Sequence, residues 1–304
     1  MLYELKSGKV ITKSIEYSVS YHCNLRCSGC SHMSPFLGKR FPSIESFSSD
    51  IHQLSKGLHA EIIRLLGGEP LLNPEISSFI KVTKKSGIAD KIMVTTNGLL
   101  LHKMNDDFWE NVDFILVNLY PGAPLKERLG YFKERANQFH TRLWMDPVSK
   151  FRTTIVTDPH PRDWVTGMIF KTCKDVHLWH CHMIYEGKLY KCAVPPFLPE
   201  YLSKMGKDGY DSAREGFDLY KTRNFVEELK DFLLSPKTLE ACRFCLGYLG
   251  KWQDHHQIEA QSISDPGLLN ITRKEALDRN RFLKECARYY IRRVASKFLR
   301  EQMW

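Results

Sequence analysis

Long apolar runs are missing from this chain of 304 residues. No stretch approaches the roughly 18 consecutive apolar residues that a membrane-spanning helix needs. The first ten residues alternate charged and apolar side chains and lack the apolar centre of a signal peptide. Internal repeats and low-complexity tracts are also missing from the sequence. Together these absences predict a globular protein of the cytoplasm that has no membrane span.

Cysteine is absent between residues 31 and 172, although the whole chain contains nine. Three cysteines lie near the N-terminus, five fall between residues 173 and 245, and Cys286 is the last. In a reducing compartment, this many cysteines indicate metal binding or catalysis rather than disulfide bonds. Because the long gap divides them into two groups, we predict two separate cysteine sites.

Positive charge is concentrated near the end of the chain. The formal net charge is +9, and residues 271–304 hold ten Lys or Arg against four Asp or Glu, a net of +6. A solvated helix face is the usual origin of such a stretch. A docking surface for an anionic substrate or partner is the alternative. No recognisable nucleic-acid-binding motif accompanies the charge, so a nucleic-acid partner is not predicted.

Strands and helices alternate from residue 14 to about residue 155. The pattern predicts strands over 14–21, 61–66, 91–95, 114–120, 141–145 and 152–156. Such alternation is typical of a parallel sheet with right-handed crossovers. Six units are too few for a closed eight-stranded barrel, so we predict an α/β fold with a partial (β/α)6 TIM-like barrel. A hairpin with a tight Gly turn is predicted over 182–191, followed by helical segments.

The first cysteine group has the spacing C-x3-C-x2-C and follows the first predicted strand directly. Its members are Cys23, Cys27 and Cys30. The carboxyl ends of parallel strands form the edge where sites of such folds lie. Three thiolates can hold three irons of a [4Fe–4S] cluster and leave the fourth iron open to a substrate or cofactor. The alternative is a zinc site, which would need His22 or His32 as the fourth ligand.

This loop resembles the signature of the radical S-adenosylmethionine (SAM) superfamily, and other motifs match in order. Gly67-Gly68-Glu69-Pro70 follows the second strand and is similar to the GGEP motif of that family. The resemblance implies that this segment contacts the SAM amino group, with glycines allowing a close backbone approach and Glu69 offering a counter-charge. It also implies polar contacts to SAM from the ends of later strands, by Thr95, Asn97 and Asn118.

Gly29 departs from the pattern of the family. Family members usually have an aromatic residue just before the third cysteine, and here that position is Gly29. The contact to the adenine of SAM must then come from elsewhere, and Tyr21 and His22 are the adjacent candidates.

The second cysteine group resembles the auxiliary cluster module of the SPASM/twitch branch of the same family. Cys173 and Cys192 flank the predicted hairpin, and Cys242-Arg-Phe-Cys245 follows downstream. The resemblance implies a second [4Fe–4S] cluster on these four cysteines, in the shorter twitch form, whereas a zinc ribbon is the alternative. Cys181 is surplus: it replaces Cys173 as a ligand, donates a hydrogen atom to a substrate radical, or packs as a small buried side chain.

The resemblance implies a radical SAM oxidoreductase or epimerase. A reduced first cluster would cleave SAM to a 5′-deoxyadenosyl radical, which abstracts hydrogen from a sugar-like or aminocyclitol-like small molecule, and a protein such as flavodoxin or ferredoxin would supply the electron. Modification of a peptide is the alternative substrate class. A zinc-binding or electron-transfer protein is the alternative of another class. We expect a radical SAM core over 1–160, a twitch-type domain over 161–250 and a helical segment over 251–304.

Overall fold

The computed structural model describes residues 3–259, 262–263 and 273–301, with side chains as far as residue 291. The strands are β1 (Glu4–Lys6), β2 (Lys9–Ser20), β3 (Leu58–Gly67), β4 (Ala89–Thr96), β5 (Phe114–Leu119), β6 (Arg142–Pro147), β7 (Lys150–Arg152), β8 (His182–Tyr185), β9 (Lys188–Tyr190), β10 (Phe217–Asp218) and β11 (Trp252–Asp254). The α-helices are α1 (Ile44–Ser55), α2 (Ile76–Ser86), α3 (Asp106–Asn111), α4 (Leu129–Gln138), α5 (Asp163–Lys171), α6 (Lys174–His177), α7 (Val194–Lys204), α8 (Phe225–Leu234), α9 (Arg273–Ala276) and α10 (Arg279–Glu301).

One large sheet organises the described residues, with strand order β10-β9-β8-β2-β3-β4-β5-β6 and β1 attached to β2. The strands β2 to β6 run parallel to one another, and β8 joins the free edge of β2 in the same direction. Helices connect the successive parallel strands, as right-handed crossovers require. The predicted α/β fold with a partial TIM-like barrel is confirmed.

The predicted sixth strand lies elsewhere. Its first residue, Arg152, belongs to the short strand β7, which pairs antiparallel with β11. The following residues hydrogen-bond to the segment around Cys245 and Lys251, through Thr153 N–H to the carbonyl of Lys251 and Leu246 N–H to the carbonyl of Thr154. Their partners come from far along the chain. The sixth parallel strand is instead β8, which pairs with β2 at the other end of the row of parallel strands.

The two largest apolar cores of the described residues hold the sheet and its helices together. The larger core lies between the sheet and helices α1 to α4, and its largest members include Phe47, Phe79, Trp109 and Phe132. Ser43 begins α1 by accepting a hydrogen bond from Ser46 N–H, which satisfies a free amide of the first turn. In the buried stretch of β2, residues 14–20, apolar residues alternate with polar ones, so the apolar side chains of one face pack into this core.

The smaller core lies beside the hairpin β8–β9 and contains two cysteines of the second group. Cys242 and Cys245 pack there with Phe170, Met183 and Phe197. Since β8 and β9 extend the sheet of residues 9–147, the two predicted parts that meet at 160/161 share one sheet. Among the described residues, no helix combines the length and apolarity that a membrane crossing demands.

Candidate functional site

The end of β3 supports the loop that carries the first three cysteines. Gly68 N–H donates to the carbonyl of Ser20, and Glu69 N–H donates to the carbonyl of His22. A β-carbon on Gly67 would overlap the Ser20 carbonyl, and one on Gly68 would overlap the His22 carbonyl. Glycine is therefore required at both positions, because only a backbone without side chains can lie this close to the cysteine loop.

A cavity of about 200 Å³ opens at this edge of the sheet, and we call it the first cysteine cavity. It is bordered by the predicted cysteines, the two glycines and the polar residues at the ends of β4 and β5, namely Cys23, Cys27, Cys30, Gly67, Gly68, Thr95, Asn97 and Asn118. The Asn97 amide donates to Asn24 Oδ1 at 2.7 Å and points at Cys23 Sγ at 3.7 Å. Residues far apart in the sequence thus meet around one space, because the cysteine loop and the ends of β3, β4 and β5 lie at the same edge of the sheet.

The thiols of the first cavity form a donor set that suits a cationic iron cluster. Burial raises the pKa of Cys23 and of Cys27 to about 12, and repulsion from the neighbouring Cys30 adds to both shifts. Bound iron would supply the positive charge that lets these thiols ionise. Within the described ranges, no three His, Cys, Asp or Glu side chains converge closely enough to hold a single metal ion.

Glu69 lies behind the wall of the cavity rather than in it. Its side chain is 0% exposed. One carboxylate oxygen accepts from Thr96 Oγ1 at 2.6 Å and Leu71 N at 3.1 Å, and the other accepts from Asn97 N at 2.8 Å. Burial raises the pKa of Glu69 to about 7 against these donors. The carboxylate therefore ties the end of β3 to the end of β4, while Pro70 begins a short 3-10 helix.

The aromatic residues at the first cavity differ from the expected ones. Tyr21 packs into the smaller core against Tyr185 and Phe197, and the ring of His22 lies 5.0 Å from Phe41. Neither borders the first cysteine cavity, whereas Tyr120 and Phe151 do.

Gly29 explains how Phe151 reaches the cavity. A β-carbon on Gly29 would come within 2.6 Å of Gln253 Nε2 and 3.4 Å of Phe151 Cβ. The strand pair β7–β11, which carries both residues, lies directly on the cysteine loop at this point. A side chain at position 29 would have to displace the Gln253 amide and adopt a φ of +77°, so glycine is favoured there. Phe151 provides an aromatic wall from another part of the chain.

The second group of cysteines also comes together. Cys173, Cys192, Cys242 and Cys245 border a cavity of about 110 Å³, which we call the second cysteine cavity. Burial, followed by repulsion from the other three thiols, raises the pKa of Cys192. Burial raises the pKa of Cys245 to about 12, although its sulfur accepts a hydrogen bond from Gly247 N–H at 3.2 Å. A set of four cysteine thiols around one space is the ligand type that iron–sulfur clusters use.

A third cavity of about 1240 Å³ lies on the inner face of the parallel sheet and extends around the edge strand β6 to α4. Neighbouring positions of successive strands border it, because residues in register on a sheet face the same side. Glu16 on β2 lies opposite Arg64 on β3, which lies opposite Met93 on β4. We call this space the large cavity.

Cys181 stands between the large cavity and the second cysteine cavity. It borders both, as do Glu16 and Asp175. Arg64 Nη1 lies 3.5 Å from Cys181 Sγ and 3.3 Å from Glu16 Oε1. Burial and the neighbouring Glu16 carboxylate raise the pKa of Cys181, so its thiol stays protonated. On the other side, Leu66 and Thr95 border both the large cavity and the first cysteine cavity.

Four residues at these cavities were not among the predicted site residues, namely Glu16, Arg64, Tyr120 and Phe151. A usable signal existed for Glu16 and Arg64, because each is a charged residue inside a run that was predicted to be a buried strand. Charged side chains are almost never buried unless they are paired. For Phe151 no local signal exists, since its position depends on the distant strand β11.

The part of the chain that forms the first cysteine cavity is similar to known proteins. Residues 17–137 match the profile of the Radical SAM superfamily. The GTP 3′,8-cyclase of Clostridium acetobutylicum is 40% identical over 103 residues, which is 31% of this chain and 31% of that protein. The enzyme of the same name from Desulforamulus reducens is 33% identical over 146 residues, 44% of each protein. The chain thus spans less than half the length of these relatives.

Solved structures with a partial likeness include two that contain S-adenosylmethionine. BtrN in complex with AdoMet and 2-DOIA is 15% identical with a TM-score of 0.43, and the likeness covers 78% of this chain and 94% of that one. Native anSMEcpe with bound AdoMet is 13% identical with a TM-score of 0.44, covering 93% of this chain and 98% of that one.

Proposed function

We propose that this chain is a radical SAM enzyme that oxidises a small molecule by hydrogen abstraction in the large cavity. The observation that carries the proposal is the order of the three cavities. The large cavity shares Leu66 and Thr95 with the first cysteine cavity, and it shares Glu16, Asp175 and Cys181 with the second. A substrate in the large cavity would therefore lie between a radical source and an electron acceptor.

Cys23, Cys27 and Cys30 would hold the first [4Fe–4S] cluster, with SAM beside it. When bound, this cluster with SAM supplies a 5′-deoxyadenosyl radical. The polar side chains of Thr95, Asn97 and Asn118 would bind SAM in the first cysteine cavity. The backbone of Gly67 and Gly68 borders the same cavity and would meet the SAM amino group, with Glu69 and Pro70 shaping that segment.

The second [4Fe–4S] cluster would be held by Cys173, Cys192, Cys242 and Cys245, and it would supply an electron acceptor for the oxidation of the substrate. Four thiols besides Cys181 border this cavity, so the cluster would not need Cys181 as a ligand. Oxidation is thus favoured over epimerisation, which would need Cys181 to return a hydrogen atom. Arg64 and Glu16 would bind the substrate through hydrogen bonds at the inner wall of the large cavity.

The paired charges of Glu16 and Arg64 suit a substrate with hydroxyl or amino groups, so we propose an aminocyclitol or amino sugar. The relatives named GTP 3′,8-cyclase align with less than half of this chain. Peptide modification is the second candidate, and the openness of the large cavity along the edge strand β6 supports it, because Arg142, Trp144 and Asp146 border the cavity there. A flavodoxin or ferredoxin in the cytoplasm would be the reductant under this proposal.

The test begins with iron content and SAM cleavage of the protein purified without oxygen. Two [4Fe–4S] clusters require about eight irons per chain. Replacing Cys23, Cys27 and Cys30 by Ala should halve the iron and abolish 5′-deoxyadenosine formation under dithionite. The matched control is Cys286→Ala, which should keep both clusters, since Cys286 lies apart from both cysteine cavities. 5′-Deoxyadenosine from the triple variant would refute the proposal.

The substrate class is tested with carbon-deuterated aminocyclitols, amino sugars and a set of short peptides. Transfer of deuterium from an aminocyclitol or amino sugar into 5′-deoxyadenosine, with an oxidised product, is the expected result. Transfer from a peptide alone would establish the second candidate instead.

A further inference from the structure

The segment 255–258, which follows β11, lies along the first cysteine loop. Ser28 N–H donates to the carbonyl of His256 at 2.9 Å, and Ile258 N–H donates to the carbonyl of Arg26 at 2.7 Å. Between these two bonds, Cys27 and Gln257 form an antiparallel bridge. The loop that would hold the first cluster is therefore held in turn by residues more than two hundred positions later in the chain.

Gln257 contacts the loop with both ends of its side-chain amide. Its Oε1 accepts from the peptide N–H of Arg26, and its Nε2 donates towards Cys27 Sγ at 3.7 Å. A peptide N–H can only donate, so the amide oxygen must face Arg26. The amide N–H must then face the sulfur of Cys27, and the orientation of the side chain is determined.

We propose that Gln257 is a positioning residue of the first cluster, which holds the Cys27 thiolate and raises the reduction potential of the cluster. This inference rests on the proposed function, since it takes Cys27 as an iron ligand. Reduction adds negative charge to a cluster and its thiolates, and an N–H donor aimed at a thiolate sulfur stabilises that charge. Hydrogen bonds to the sulfurs are among the factors that set iron–sulfur potentials.

The second cysteine group is connected to the same segment. The bridge between Ile155 and Cys245 and the hydrogen bond from Thr153 N–H to the carbonyl of Lys251 anchor the chain just before β11. Ligands of the second cluster would therefore help to place Gln257 beside the first. Gln257 contributes neither a ligand nor a substrate contact, so its effect should appear in the potential.

The experiment measures the potential of the first cluster by redox titration followed by electron paramagnetic resonance. Gln257→Glu keeps the shape and the acceptor for Arg26 but removes the N–H donor and adds a negative charge. We expect the reduced fraction of the first cluster at a fixed potential to fall at least threefold, with iron content retained. Gln257→Met removes both the donor and the acceptor and adds no charge. The reduced fraction of the first cluster should therefore fall in this variant too, but by less than in Gln257→Glu.

The matched control is Gln138→Glu, the same change at an exposed position on α4, which should leave the potential unchanged. Loss of the first cluster alone in both Gln257 variants would also support the positioning role. An unchanged potential in Gln257→Glu, or loss of both clusters, would overturn the inference. Iron content and SAM cleavage of the wild-type protein are measured first. If the proposed function is wrong, the wild-type protein lacks the first cluster or fails to cleave SAM, whereas failure of the inference about Gln257 leaves both intact.

Discussion

The α-carbon of Gly68 lies against the carbonyl oxygen of His22, so close that the two leave no room for a β-carbon. We expect Gly68→Ala to displace the cysteine loop and to prevent assembly of the first cluster, because the obstacle is backbone and cannot move aside. Iron per chain should fall by about half, with the second cluster kept. The measurement is iron content with optical absorption after anaerobic reconstitution.

Gly130→Ala is the matched control for that substitution. Gly130 lies in α4, and a β-carbon there would meet nothing within 4 Å. Alanine in a helix is favoured over glycine by roughly 0.5–1 kcal/mol. Gly130→Ala should therefore keep both clusters and be slightly more stable, and equal iron contents in the two variants would contradict the role of Gly68.

Glu69 should make the stability of the protein depend on pH. Burial raises its pKa from 4.5 to about 7, so the folded protein holds the protonated carboxyl more readily than the unfolded chain does. The stability that this difference contributes is fully present below pH 4.5 and is lost as the pH rises through 7. At about 1.4 kcal/mol per pKa unit, the shift corresponds to about 3 kcal/mol. From pH 7.5 to pH 5, wild type should gain free energy of unfolding relative to Glu69→Gln in denaturant titrations. A constant difference between the two proteins would show that the pKa is not raised.

Arg64 should stabilise the fold by pairing with Glu16, whose side chain is only 7% exposed and whose pKa burial raises although Arg64 opposes the shift. Removing one partner of a buried ion pair costs about 3 kcal/mol, because it leaves the other charge buried alone. We expect Arg64→Met to lower the free energy of unfolding by that amount at pH 7.5. The double variant Arg64→Met with Glu16→Gln should recover most of it, and a double variant as unstable as the single one would refute the pairing.

Cys181 distinguishes oxidation from epimerisation. With four other thiols at the second cysteine cavity, we expect Cys181→Ala to keep both clusters and to form oxidised product without solvent deuterium at carbon in deuterated water. Removal of its small side chain should affect substrate binding more than the chemical step. Loss of turnover with both clusters intact, together with solvent deuterium in the wild-type product, would show that Cys181 returns a hydrogen atom.

Features that depend on neighbouring residues could be predicted from the sequence. The spacing of Cys23, Cys27 and Cys30 predicts that one short loop presents three thiols to one space, and the three do border one cavity. The apolar strands and their polar ends likewise predicted the partial barrel and the common edge at which Thr95, Asn97 and Asn118 meet. Both depend on local spacing and on the parallel order of strands, which the alternation of elements already implies.

Long-range packing decided the rest. Residues 152–156 have the composition of a strand, yet they pair with the segment around Cys245 and Lys251 rather than with the parallel sheet. The composition of a segment does not determine which other segment it pairs with, because the backbone N–H and C=O groups of all segments are chemically alike. The contact between Gln257 and Cys27 and the approach of Phe151 to Gly29 could not be predicted from the sequence either. These contacts exist only once the strand pair β7–β11 has closed over the cysteine loop, so only the tertiary structure determines them.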